Sequence, residues 1–105
     1  MTKAVPNKEQ LLALVADNRP RLQALGVKRL GLFGSFVRSE QRAESDVDLL
    51  VEFQPGQKTF DHFMQLGFLL EELFGRPVEL VTPESLSPYI RPHVLNEVQY
   101  AFIAN

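Results

Sequence analysis

The chain has no cysteine, which excludes disulfides and thiolate metal sites and is compatible with a reducing compartment. It has no apolar run approaching the roughly 20 residues needed to span a bilayer. Met1 to Gln10 is polar and lacks the apolar core of a secretory leader, so a cytoplasmic protein with no membrane partner is expected. Nor is there a strong charge bias: Lys and Arg number 11 against 13 Asp and Glu, a net charge of −2. A general nucleic-acid binder carries a basic surface to neutralise phosphates, so direct nucleic-acid binding is not expected. Internal repeats and low-complexity segments are also missing. What is present is 105 residues, 45% hydrophobic and 23% charged. That composition is neither disordered nor membranous, and the length suits one compact domain over residues 1–105 with a single core.

Turn and cap residues divide the chain into alternating helices and strands. Asn7 followed by Gln10 reads as a capping box, and Leu11, Leu12, Leu14 and Val15 continue at helical spacing. Pro20 divides this region into two helices that end before Gly26. A strand is expected over Val27–Phe33, a short helix from Ser35 through Arg38, and a second strand over Asp46–Phe53. Gln54 to Gln57 is a turn, Thr59 caps a helix reaching Phe74, and Gly75 stands where a C-terminal cap glycine belongs. A third strand is expected over Pro77–Val81. Thr82-Pro83-Glu84-Ser85 begins another helix, Pro88–Val98 reads as a helix interrupted by Pro92, and Gln99–Ile103 as a last short strand.

The chemistry concentrates between Gly34 and Phe53. The apolar run Arg29-Leu30-Gly31-Leu32-Phe33 reads as a buried strand that stops at Gly34-Ser35. A small-residue turn leaving a strand exposes backbone N–H groups, and a helix opening at Ser35 would aim them at one spot suited to a phosphate. The Ser35 hydroxyl adds a donor. In the following strand, side chains at i and i+2 share a face. Val47, Leu49, Val51 and Phe53 form one apolar face; Asp46, Asp48, Leu50 and Glu52 form the other. Two carboxylates roughly 6 to 7 Å apart along one strand face can converge on a hard cation, although Asp-x-Asp alone also fits an ordinary half-wet strand. Glu79 is the single ionisable residue between Pro77 and Val81. It joins the same site if its strand lies beside Asp48, and is otherwise an exposed residue on an edge.

Phe33-Gly34-Ser35 followed by Asp46-Val47-Asp48-Leu49 resembles the signature of the DNA polymerase β-type nucleotidyltransferase superfamily. Over nearly its whole length the chain resembles the minimal nucleotidyltransferases (MNT), the antitoxin halves of HEPN/MNT toxin–antitoxin pairs. Arg38 stands where that family has the arginine of Gly-Ser-x-x-Arg, Ser45 to Leu49 matches its Ser-Asp-x-Asp-Leu, and Gly75 to Thr82 resembles its later strand. Two positions depart from the pattern: Ser39, where the family often has Gly, and Glu79, where Asp is more familiar.

The resemblance implies an α/β (α+β) nucleotidyltransferase fold, a small mixed sheet of three to four strands flanked by helices. It implies an enzyme that transfers AMP from ATP to a tyrosine hydroxyl of a partner HEPN ribonuclease toxin and so neutralises it. Asp46, Asp48 and Glu79 would be catalytic and would hold Mg²⁺, two ions in the usual arrangement. Gly34, Ser35, Arg38 and Ser45 would bind the nucleotide. Arg38 as a solvated surface residue and Ser45 as a turn residue are the plainer readings of those two positions. Two alternatives belong to other classes: an antitoxin that acts by stoichiometric contact alone, and a small-molecule nucleotidyltransferase subunit that borrows an acceptor pocket.

The helix expected from Thr59 to Phe74 is apolar around well over half its circumference, with Phe60, Phe63, Met64, Leu66, Phe68, Leu69, Leu70, Leu73 and Phe74. That is wider than one sheet face requires, so it either presents a partner-binding face or is buried from both sides. His62 and His93 lack ligand-spaced companions and are expected to be structural or on the surface; Tyr89 and Tyr100 are expected to pack.

Overall fold

The computed structural model describes residues 4–104. Helices α1 (Lys8–Asp17) and α2 (Arg19–Ala24) precede β1 (Val27–Phe33), a single 3-10 turn (Gly34–Phe36) and β2 (Val47–Phe53). Then come α3 (Phe60–Phe74), β3 (Val78–Val81), a second 3-10 turn (Pro83–Ser85), α4 (Arg91–Glu97) and β4 (Gln99–Phe102). The sheet order is β3-β2-β1-β4. β1 runs antiparallel to β2 and β4, whereas β2 and β3 are parallel. The expected mixed sheet flanked by helices is therefore the one formed.

Local chemistry sets the element ends. The Asn7 side chain accepts from the Gln10 N–H at 2.9 Å and caps α1, and Pro20 falls in the first turn of α2, where a missing N–H costs nothing. Thr59 caps α3 by accepting from the His62 N–H, and Gly75 ends the helix at φ +63, a left-handed conformation that glycine adopts without strain. Pro92 opens α4 instead of interrupting it, because α4 begins only at Arg91; a proline in the first turn pre-sets φ and removes no helical bond. Thr82 to Ser85 makes one 3-10 turn and no longer helix.

The expected helix from Ser35 through Arg38 is also shorter than anticipated. The 3-10 helix itself covers only Gly34–Phe36; the Arg38 N–H still reaches the Gly34 carbonyl at 3.3 Å, but as a turn, Ser39 takes φ +57, and the Glu40 N–H reaches back to the Ser35 carbonyl at 2.9 Å. The left-handed backbone at Ser39 explains physically why glycine suits that position, since an L side chain there meets the following carbonyl. Ser39→Gly should therefore stabilise the protein by about 0.5–1 kcal/mol after the greater freedom of glycine in the unfolded chain is offset. Thermal unfolding should show the midpoint rising by a few degrees; an unchanged or lower midpoint would show that the serine is unstrained.

The parity reading of β2 holds in the packing. Val47, Leu49 and Val51 are fully buried in a core with Leu30 and Leu32 of β1, Leu11 and Val15 of α1, Leu22 of α2, and Leu66, Leu70 and Phe74 of α3. Burying each such side chain contributes about 1.5–3 kcal/mol, so packing on this face is what fastens α1, α2 and α3 to the sheet. The opposite face carries Asp48, Leu50 and Glu52, and Leu50 is buried outside that core. There the α4–β4 segment closes on the sheet, and a Cβ at Gly31 would collide with Val98. On α3, Leu66, Leu69, Leu70 and Phe74 are buried and Phe63 and Leu73 pack against the core, but Phe60 and Phe68 stand 74% and 64% exposed. The wide apolar surface of this helix is thus only partly covered. Tyr100 packs as expected, with the Arg29 guanidinium 3.7 Å from its ring centre. Tyr89, expected to pack, is exposed because it lies in the irregular stretch between the second 3-10 turn and α4.

Candidate active site

Strand register brings Asp48, Glu79 and the Gly34 turn together. Asp48 of β2 pairs with Phe33 of β1 on one side and with Glu79 of β3 on the other. Gly34 directly follows Phe33, turns at φ +79, and has no room for a side chain: a Cβ would run into the Asp48 carboxylate. Glycine is required there for both conformation and approach. Glu79 is on an edge strand and exposed, yet it faces the same carboxylate. Asp46 lies one residue before β2 and is exposed, while Ser35 is half-buried within the 3-10 turn.

The electrostatics centre on Asp48. Burial of its carboxyl, then the charge of Glu79 and contact with it, and more weakly the charge of Asp46, push it up from an ordinary 3.8 to about 6. Like charges in a partly dry site disfavour ionisation, so the three acids concentrate negative potential at this end of β2. Among the described residues no three Asp, Glu, His or Cys side chains are drawn tightly enough to form a finished ion cage. The grouping is a pair on neighbouring strands, Asp48 with Glu79, and Asp46 at the strand mouth.

Arg38 lies on the surface with its side chain half exposed, as its plainer reading had it, but it is paired. Its Nε donates to Glu40 at 2.7 Å and its Nη1 to both carboxylate oxygens of Glu97, at 3.2 and 3.0 Å. The same carboxylate accepts from the Gly34 N–H at 2.9 Å. The Gly34 N–H first, and the Arg38 guanidinium after it, hold Glu97 below the usual carboxylate range. Ser45 is not brought to this cradle: its Oγ accepts from the Arg42 N–H at 2.7 Å and closes a turn.

Two residues of the site were missed in the sequence. Glu97 ends α4, and its one sequence-level mark is that no other acid follows Glu84. Arg76 is the second. It is 7% exposed, with Nε donating to the Val5 carbonyl at 2.7 Å and Nη1 facing the carbonyls of Arg42, Ala43 and Ser45 at 2.8, 3.0 and 3.0 Å. Its guanidinium also lies 5.0 Å from the Phe36 ring centre. A buried cation held by carbonyl dipoles thus fixes the loop that delivers Asp46, and nothing in the sequence distinguishes it from a surface arginine.

With this geometry in view, comparisons with known proteins agree. The family described as nucleotidyltransferase domain matches residues 13–101. An inferred protein adenylyltransferase of Methanocaldococcus jannaschii is 42% identical over 74% of this chain and 83% of its own. Protein adenylyltransferase MntA of Thermococcus cleftensis is 40% identical over 83% of this chain and 87% of its own. Among solved structures, an inferred minimal nucleotidyltransferase superposes with a TM-score of 0.67 at 35% identity, covering 84% of this chain and 93% of that one. A toxin–antitoxin structure with AMP-PNP gives 0.63 at 23% identity over 90% and 72%, a likeness of fold. The chain belongs to the nucleotidyltransferase domain family, among its MntA-like minimal members.

Proposed function

We propose that this protein transfers AMP from ATP to a tyrosine hydroxyl of a partner HEPN ribonuclease toxin and so acts as its antitoxin. The observation that carries the reading is the register that seats Asp48 between Phe33 and Glu79, with the Gly34 turn against its carboxylate. It joins an anion-holding turn to a carboxylate group, the two parts nucleotidyl transfer needs. Asp46, Asp48 and Glu79 offer hard carboxylate oxygens whose mutual repulsion a cation relieves, so they suit Mg²⁺. Bound there, Mg²⁺ would offset charge on the triphosphate and on the entering and leaving oxygens.

The chain's own groups do the rest. The Gly34 N–H, the Ser35 hydroxyl and Arg38 hold the outer phosphates. The acceptor oxygen forms a bond to the α-phosphorus as the bond to the leaving pyrophosphate breaks, and a carboxylate within reach, Glu79, accepts the hydroxyl proton. Protein adenylyltransferases among the relatives favour a protein acceptor, and the sequence resemblance supplies the toxin and its tyrosine. In this reading residues 1–105 work as one minimal domain, with the acceptor arriving on another macromolecule.

The test is the intact mass of a neighbouring-gene partner after incubation with this protein, ATP and Mg²⁺, beside the Asp46→Asn, Asp48→Asn double variant. One or more added adenylyl masses, absent with the double variant, are expected. An unmodified partner in a stable complex would instead establish neutralisation by contact.

The exposed stripe of α3, Phe60, Met64 and Phe68, is the proposed surface for that partner. Phe68→Glu should abolish the complex in size-exclusion chromatography while leaving the thermal midpoint within about 2 °C, as expected for an exposed position. Phe63→Glu is unsuitable, because Phe63 packs against the core. A complex that survives Phe68→Glu and Phe60→Glu together would move the interface elsewhere.

A further inference from the structure

Resting on the reading of Gly34 to Arg38 as a phosphate cradle, we propose that Glu97 belongs to the nucleotide site as an internal anion. Its carboxylate occupies the cradle's donors in the free protein, and the nucleotide's phosphates must displace it. Three contacts support this. The Gly34 N–H and two directions from Arg38 Nη1 all terminate on one carboxylate, which is where an incoming phosphate oxygen would seek the same donors. A single N–H cannot donate fully to both. The groups around Glu97 are Gly34, Arg38 and His93, with Glu40 on the far side of the guanidinium, so its negative charge is well satisfied while it stays.

The arrangement has a chemical consequence for selectivity. A ligand gains access only if it brings more negative charge to the cradle than the carboxylate it replaces. A triphosphate does so; an uncharged nucleoside brings nothing to the cradle. Glu97 also reports the exchange to the fold, because it ends α4 and stands two residues before β4. Its departure frees the α4 end from the β1–β2 side of the site.

Binding of AMP-PNP with Mg²⁺, and separately of adenosine, to the wild-type chain and to Glu97→Gln tests the proposal. Removing the internal anion while keeping its size should tighten AMP-PNP about tenfold, the factor expected when a competing state populated near 90% is removed. Adenosine affinity should stay unchanged, which a merely structural role for Glu97 would not predict. Unchanged or weaker AMP-PNP binding by Glu97→Gln overturns the proposal. Arg38→Ala separates the two levels: if it fails to weaken AMP-PNP, the cradle reading itself falls; if it weakens binding while Glu97→Gln does not tighten it, only the role of Glu97 falls. Should Glu97→Gln not fold, the wild-type chain still decides. Saturating AMP-PNP must shift both the Gly34 amide and the Glu97 side-chain carboxyl resonances, and an unmoved Glu97 carboxyl overturns displacement.

Discussion

Asp48→Asn should cut the proposed AMP transfer by about 1,000-fold, because it removes a carboxylate that would hold Mg²⁺, and it should make the free protein more stable. The second effect follows from the raised pKa of about 6. A carboxyl whose folded pKa lies above its unfolded value favours folding while protonated. Its contribution is full below the ordinary 3.8, fades as pH rises toward 6, and leaves an ionised, crowded Asp48 at neutral pH. Undiminished, such a shift corresponds to about 3 kcal/mol; solvent reaching the half-buried carboxyl screens it to about 1 kcal/mol. At pH 7.5 without divalent cation the variant should therefore melt about 4–8 °C higher than wild type, and the gap should close as pH is lowered to 4. Differential scanning fluorimetry across that range checks the sign. A variant that melts lower at pH 7.5, or a gap that widens in acid, would show that Asp48 is not held against its charge. Mg²⁺ should raise the wild-type midpoint and leave that of the variant nearly unmoved.

Arg76→Ala should destabilise the fold by about 3–5 kcal/mol, the range for stripping a buried charged group from its partners. Marginal stability makes that a large share of the total. Four carbonyls, those of Val5, Arg42, Ala43 and Ser45, lose their donor at once, and the Phe36 ring loses the cation beside it. Arg76→Lys keeps the charge, but a single ammonium cannot reproduce the fork that spans both segments. It should remain folded in the cold, bind AMP-PNP within about twofold of wild type, and transfer AMP roughly tenfold more slowly, since a small displacement of Asp46 is felt chiefly in the chemical step. Denaturant unfolding measures the first effect and single-turnover kinetics the second. An Arg76→Ala chain as stable as wild type would show that the loop from Arg42 to Ser45 holds itself.

What the sequence displays and what it hides divide along one line. Features written in consecutive residues were legible: the alternation in Val47–Phe53, the Thr59 and Gly75 caps of α3, the strand ending at Gly34. Pairing of β3 beside β2 could be posed as a condition, and the register Asp48 with Glu79 fulfils it. Features that depend on distant segments meeting were not legible. Glu97 finds Gly34 and Arg38 across the sheet, and Arg76 gathers carbonyls from two separate loops. A charged residue looks the same in sequence whether water or a carbonyl cluster receives it. Short-range details differ from expectation where single residues act: the chain turns left-handed at Ser39 soon after the first 3-10 turn, and Pro92 starts a helix it was expected to break.

The position of β1 also bears on the order in which the protein is assembled. Leu30 pairs with Val51 on one flank and with Ala101 on the other, so the two halves of the sheet differ greatly in the loop that must close. The β1–β2 pair forms from nearby chain and is expected early, whereas β4 must return from far along the sequence at a higher entropic cost. Native-state hydrogen exchange should accordingly find β4 and α4 opening together as a weaker unit than β1 and β2. A nascent chain would then possess most of its core, though not Ile103, and its carboxylates before Glu97 is in place to cover the cradle.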